Sequence, residues 1–149
     1  LHHSVFSIEK LLKNIAVSFA ISLDAADSNI EFSSKIMPRM GDFTGDKIKL
    51  EEVILNLLQN AKDAVGPQGR ITLSAERKND TIVICCHDNG CGITSDQIDS
   101  IFDPFVTYKE NGTGLGLSSA KRIAEAHGGT IQAESSPETG TVFTVTLPV

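Results

Sequence analysis

The sequence predicts an α+β two-layer sandwich: a mixed, largely antiparallel sheet of about five strands with helices packed on one face. Three observations carry that expectation. Five short segments read as strands, and three longer ones repeat apolar residues at helical spacing. Tight turns join two of the strand pairs, which must then run antiparallel.

Taken in order, apolar residues at 8, 11, 12, 15, 16, 19 and 23 predict an amphipathic helix over Val5 to Leu23. "NIEFSSKI" (29–36) alternates and reads as a strand. Gly41 to Gly45 reads as a turn, and Asp46 as the N-cap of a helix over Lys47 to Val65 that stops at Gly66-Pro67. "RITLSAER" and "TIVICCHD" read as strands around Asn79-Asp80. "NGCGITSDQIDSIF" is a glycine loop and a short helix, broken by "DPF". Leu117 to His127 is a helix ended by Gly128-Gly129, where a histidine suits the helix dipole. "TIQAESS" and "TVFTVTLPV" close the chain as strands around "PETG".

A chain of 149 residues is most simply one domain with a sizeable core. Its net charge of −6, with no Lys/Arg stripe, argues against a nucleic-acid surface. No apolar run reaches the roughly 18–20 residues that span a bilayer, and no signal-peptide pattern opens the chain, so no membrane contact is expected. A start at Leu1 rather than Met suggests a piece of a longer protein. Cys85, Cys86 and Cys91 match no zinc spacing, and adjacent strand residues point to opposite faces; the expectation is reduced thiols in a cytoplasmic protein.

Three stretches carry candidate chemistry. On the helix 47–65, Glu52, Asn56 and Asn60 share one face beside the apolar stripe, with Asp63 one turn beyond. Asn is a weak helix former and costly to bury, so two amides there either cap a loop or face solvent, or offer oxygens to a hard cation or phosphates. In "HDNGCGI", Asp88 ends an apolar strand before Gly90 and Gly92. It is a turn residue, or a buried carboxylate able to accept from an exocyclic amine. In "ENGTGLGLSSAKR" (110–122), Gly112, Gly114 and Gly116 alternate and then open a helix. The stretch fits neither the Walker nor the dinucleotide glycine pattern. It reads as a hinge, or as a phosphate cradle of backbone N–H groups at a helix N-terminus.

In this order and spacing the motifs resemble the ATP-binding catalytic domain of sensor histidine kinases, which shares its superfamily with DNA gyrase, the heat-shock chaperone and mismatch-repair ATPases. "LEEVILNLLQNAKDA" resembles the N box, "DNGCGI" the G1 box, "IFDPFVTYK" the F box, "GTGLGL" the G2 box and "GTVFTVTLP" the terminal strand. The likeness covers residues 5–149, leaves 1–4 as boundary residues, and implies a Bergerat-type fold. It also implies a site. Asn60 would hold Mg²⁺ against the phosphates, Asp88 would bind the adenine amino group, and Gly90, Gly92 and Ile93 would shape the base pocket. Tyr108 and Lys109 would lie in an ATP lid, mobile without nucleotide. Thr113, Gly114, Leu115, Gly116 and Leu117 would meet the phosphates, and Thr141 would reach the adenine pocket. Asn56, Asn60 and Lys109 are the candidate catalytic set. Asp63 stands where many histidine kinases carry a basic residue, and is counted with the nucleotide contacts.

The resemblance further implies the reaction. Hydrolysing relatives place a glutamate four residues before the Mg²⁺ asparagine, as do anti-sigma-factor serine kinases. Here that position is Asn56, which cannot take a proton. The expectation is a domain that binds Mg-ATP and transfers the γ-phosphoryl group to a histidine on a separate dimerisation domain, with a response regulator downstream. A non-catalytic ATP-binding regulatory module and an anti-sigma-type kinase are the alternatives. None of His2, His3, His87 and His127 sits in an acceptor motif. The chain alone should therefore be a monomer that does not phosphorylate itself.

Overall fold

The computed structural model describes residues 1–106 and 116–149. The elements run β1 (Ser4–Ser7), α1 (Ile8–Ala25), β2 (Asn29–Ile36), β3 (Asp42–Gly45), α2 (Lys47–Val65), β4 (Gln68–Lys78) and β5 (Thr81–Asp88). A 3-10 turn at Ile98–Ser100 precedes α3 (Gly116–Ala126), β6 (Thr130–Ser136) and β7 (Gly140–Pro148). The main sheet has the order β2-β4-β5-β7-β6. Its pairs are antiparallel except β2 with β4, whose crossover through β3 and α2 carries α2 onto the sheet. This is the expected mixed sandwich.

Alternation builds the core. Ile71, Leu73 and Ala75 of β4, Ile82, Ile84 and Cys86 of β5, and Phe143, Val145 and Leu147 of β7 are buried on one face. Against them lies the stripe Val53, Ile54, Leu57, Leu58 and Ala61 of α2. The opposite face carries the half-buried Thr72, Ser74, Cys85 and Thr144. The buried face ends in polar residues: Asp88 continues the Ile82–Ile84–Cys86 series, and Thr141 precedes Phe143 on the neighbouring strand.

Three expectations change. The first helix does not begin at Val5; Ser4–Ser7 is a strand, and α1 starts at Ile8 because the Lys10 N–H donates to Ser7 Oγ (3.2 Å) as an N-cap bond. The turn expected over Gly41 to Gly45 is largely β3, which pairs antiparallel with β1 in a separate ribbon. Phe43 is buried there edge-on to Phe6. Such pairing is non-local and leaves little periodicity in four residues. The third change is at His127. Its Nε2 accepts the Asp46 N–H (2.9 Å), which leaves Nδ1–H to donate to the Ile123 carbonyl (2.8 Å). The ring therefore caps the start of α2 as well as the end of α3.

Asp46 caps α2 as expected, its carboxylate accepting from Lys49 N–H. Backbone N–H groups of His2 and Lys49 hold its carboxyl below the usual range. Among the described residues no helix is long and apolar enough to cross a membrane.

Candidate functional site

The loop that follows the polar end of the sheet's buried face packs on the end of α2, and the amide face of α2 meets the start of α3. Asp88, at the end of β5, is 2% exposed. The Gly90 N–H donates to its Oδ1 at 2.9 Å, turning the chain away from the strand. Burial pushes the Asp88 carboxyl above the usual carboxylate range, and N–H donors from Gly90 and Thr141 offset part of that push. No cation pairs with it among the described residues.

The following loop is held tightly. The Cys91 N–H donates to the Ala64 carbonyl at the end of α2 (3.3 Å). A side chain at position 90 would meet that same carbonyl within 2.5 Å, so only glycine lets the loop lie against the helix. Gly92 has φ +76 and backs onto the Ser136 carbonyl. The Ile93 N–H donates to Ser135 Oγ at 2.6 Å. Thr141, also 2% exposed, stands opposite Asp88 in the β5–β7 register.

On α2, Asn56 and Asn60 are both half-buried. The Asn56 amide donates to the Gly116 carbonyl (3.2 Å), fixing the first residue of α3 against α2. Gly116 does not have a positive φ, and a Cβ there would make ordinary 3.6 Å contacts with Asn56. Leu117 is half-buried against the core. Asp63 is exposed and accepts from Gln59 Nε2 at 3.0 Å.

The structure thus brings together Asp88, Gly90, Gly92, Ile93 and Thr141 as one cluster, and Asn56 with Gly116 as a second. Tyr108, Lys109, Thr113, Gly114 and Leu115, with the lid expectation, lie outside the described residues. Three participants escaped the sequence reading. Ser135 joins Ile93 to Thr141. Gly140, at φ +86, passes so close to the Asp88 carbonyl that a Cβ would land on it. Asn89 accepts the Arg70 N–H (2.7 Å) and pins the loop to β4. Gly140 and Asn89 stand inside the quoted stretches "GTVFTVTLP" and "DNGCGI", whereas Ser135 left no local signal and meets Thr141 only through the β6–β7 register.

Chemically, this arrangement suits a flat heterocycle with an amino donor beside Asp88, and an anion near the N-terminus of α3. Among the described residues no three His, Cys, Asp or Glu side chains are grouped to cage a metal. A hard cation held through Asn60 would take its other ligands from phosphate and water, as Mg²⁺ tolerates. The cysteines are free, and burial pushes the Cys86 thiol up to about 12.

Residues 45–149 match the family model for histidine kinase-, DNA gyrase B-, and HSP90-like ATPases. The sensor histidine kinase ZraS of Klebsiella oxytoca is 40% identical over 130 residues, 87% of this chain and 28% of its own length. The chain therefore spans a little over a quarter of that relative. The solved catalytic domain of histidine kinase ThkA superposes with a TM-score of 0.88 at 31% identity, covering 99% of this chain and 96% of that one. ThkA in complex with response regulator TrrA matches at TM-score 0.81 and 28% identity, covering 98% and 41%.

Proposed function

The chain belongs to the histidine kinase-, DNA gyrase B-, and HSP90-like ATPase family, as an ATP-binding domain of the histidine kinase type, and from that premise we infer that it binds Mg-ATP and transfers the γ-phosphoryl group to a histidine on a separate dimerisation domain. The observation that carries the reading is Asp88: a buried carboxylate on the core face, with backbone donors, whose burial outweighs them and the neighbouring His87. Folding leaves its desolvation only partly offset, and an amino donor from adenine completes it.

Asp88 accepts from the adenine amino group, Gly90, Gly92 and Ile93 form the wall of the base site, and Thr141 reaches the ring. Asn60 would hold Mg²⁺, which when bound neutralises phosphate charge. Amides at the N-terminus of α3, Gly116 and Leu117 included, meet the phosphates with the helix dipole behind them. Lys109 and Tyr108 approach from the lid, Thr113, Gly114 and Leu115 complete the phosphate contacts, and Asp63 stays at the rim. Asn56 offers no base to activate water, so it positions α3 and hydrolysis stays slow. The acceptor imidazole nitrogen attacks the γ-phosphorus; a P–N bond forms, the bond to the β–γ bridging oxygen breaks, and ADP departs. The domain works in the cytoplasm, residues 5–149 form the catalytic unit, and the phosphoryl group passes on to a response regulator.

The test supplies γ-labelled ATP to this chain with and without a histidine-kinase dimerisation domain. Acid-labile label on the added domain, and none on the chain alone, is expected. Stable label on the chain alone, lost in a His2/His3 double variant, or equal affinity for ATP and GTP, overturns the reading.

A further inference from the structure

Helix α1 carries apolar side chains where its own fold gives them nothing to pack on. Ile8, Leu12, Ile15, Phe19 and Leu23 line its buried face, and helical spacing puts Val17 and Ile21 on the side opposite. They are 61% and 62% exposed. Lys10 and Asn14 before them, and Asp24 after them, are exposed too and continue the same line. The steps from 10 to 14, 17, 21 and 24 alternate four and three, the spacing by which one helix packs along another.

The charges that end this line are set against the dipole of α1. Lys10 stands in the first turn, beside unpaired N–H groups, and Asp24 in the last turn, beside unpaired carbonyls, with no basic residue there to balance it. Neither side chain has a partner among the described residues, while Lys13 on the flank is taken by Glu9 at 2.8 Å. Each charge is disfavoured by its own helix, and each is matched by a helix running the other way. In an antiparallel pair of α1 helices centred on Val17, Lys10 of each copy meets Asp24 of the other, because the two residues lie equally far from the centre. Val17 then meets Val17, with Ile21 beside it. A parallel pair would set Lys10 against Lys10 and Asp24 against Asp24. Two-fold symmetry makes both ion pairs at once.

We propose that the outer face of α1 is an interaction surface for a second copy of this chain, the two α1 helices packing antiparallel about Val17 with Lys10–Asp24 pairs closing both ends. The seam is a few side chains per copy, far short of the roughly 20–30 residues a side that a stable interface uses. The dilute chain is therefore a monomer, and the surfaces meet when two copies are held together at an effective concentration of about a millimolar.

The test is sedimentation of the whole chain at low salt, from micromolar to millimolar concentration. Wild type, Lys10→Glu, Asp24→Lys, the double exchange and Val17→Glu are compared, with a melt of each. Wild type should pass reversibly to a dimer at the top of that range. Each single exchange turns two attractive pairs into two like-charge contacts and should raise the dimer dissociation constant roughly tenfold. The double exchange restores opposite charges and should return the constant to that of wild type. Val17→Glu sets two carboxylates face to face and should abolish the dimer. Lys10→Glu and Asp24→Lys suit the α1 dipole better than the native residues, so neither should lower the melting temperature, and misfolding cannot imitate the expected loss. If wild type stays monomeric to millimolar concentration, if Val17→Glu dimerises as wild type does, or if the double exchange is no better than the singles, the proposal falls.

Discussion

Asp88 occupies a position where its strand would otherwise place an isoleucine or a cysteine, and the substitution of charge for hydrocarbon is what makes a site there. Because the folded state binds the Asp88 proton more tightly than the unfolded chain, this group favours folding most below the ordinary carboxylate pKa of 3.8 and less as pH rises through its raised folded value. Asp88→Asn should therefore leave the melting temperature at neutral pH unchanged or higher. ATP affinity should fall by about 1.5–3 kcal/mol, the worth of a hydrogen bond to a charged group. Wild-type ATP affinity should run opposite to stability, weakening as pH is lowered through the raised value, because the ionised form accepts the amine. Calorimetry and melts across a descending pH series read both slopes. Gly140→Ala is the contrast: at φ +86, with no room beside the Asp88 carbonyl, it should lower the melting temperature as well as affinity.

At the scale of elements, α2 serves two masters, and adjacent residues divide the work. Leu57 is fully buried against the sheet, so Leu57→Ala should cost about 2–5 kcal/mol in urea unfolding. Its neighbour Asn56 faces α3, and Asn56→Ala should cost only about 0.5–1.5 kcal/mol, the net worth of its bond to Gly116. The first residue of α3 gives the reverse pattern. Gly116 has ordinary φ and an ordinary 3.6 Å clearance, so Gly116→Ala should leave the fold as stable as before or raise stability by up to ~1 kcal/mol. If the backbone there meets phosphates, ATP affinity should fall in the same variant. Normal ATP affinity in Gly116→Ala would remove position 116 from the phosphate site.

Over the whole molecule, one imidazole ties regions that the sheet does not. His127 follows α3, accepts the N–H of the residue that caps α2, and lies against Phe43 of the β1–β3 ribbon and His3 before it. His127→Leu keeps most of the packing volume and removes the acceptor. It should cost about 1–3 kcal/mol, the penalty for stranding a partly buried backbone donor. His127→Gln, which can still accept, should recover part of it in the same thermal melts. Equal melting temperatures for wild type and His127→Leu would show that the ring acts by packing alone.

Elements with a long apolar period were legible from the chain itself: α2 from its cap at Asp46 to Gly66, the β4–β5 hairpin around Asn79-Asp80, and the end of β7. Asp88, Gly90 and Gly92 also stood out locally, because a carboxylate and glycines at a strand end break the pattern that the core demands; Thr141 entered only through the family resemblance. The start of α1 is set locally, by the Ser7 cap. The β1–β3 ribbon and the bond from Asp46 to the His127 ring were not legible: their partners lie 35 to 81 residues away, and local periodicity carries no information about distant pairing. Ser135 belongs to that second group. Its sequence neighbours mark it as an ordinary strand residue, and only the β6–β7 register, with the G1 loop folded over it, brings one hydroxyl within reach of Ile93, Gly140 and Thr141.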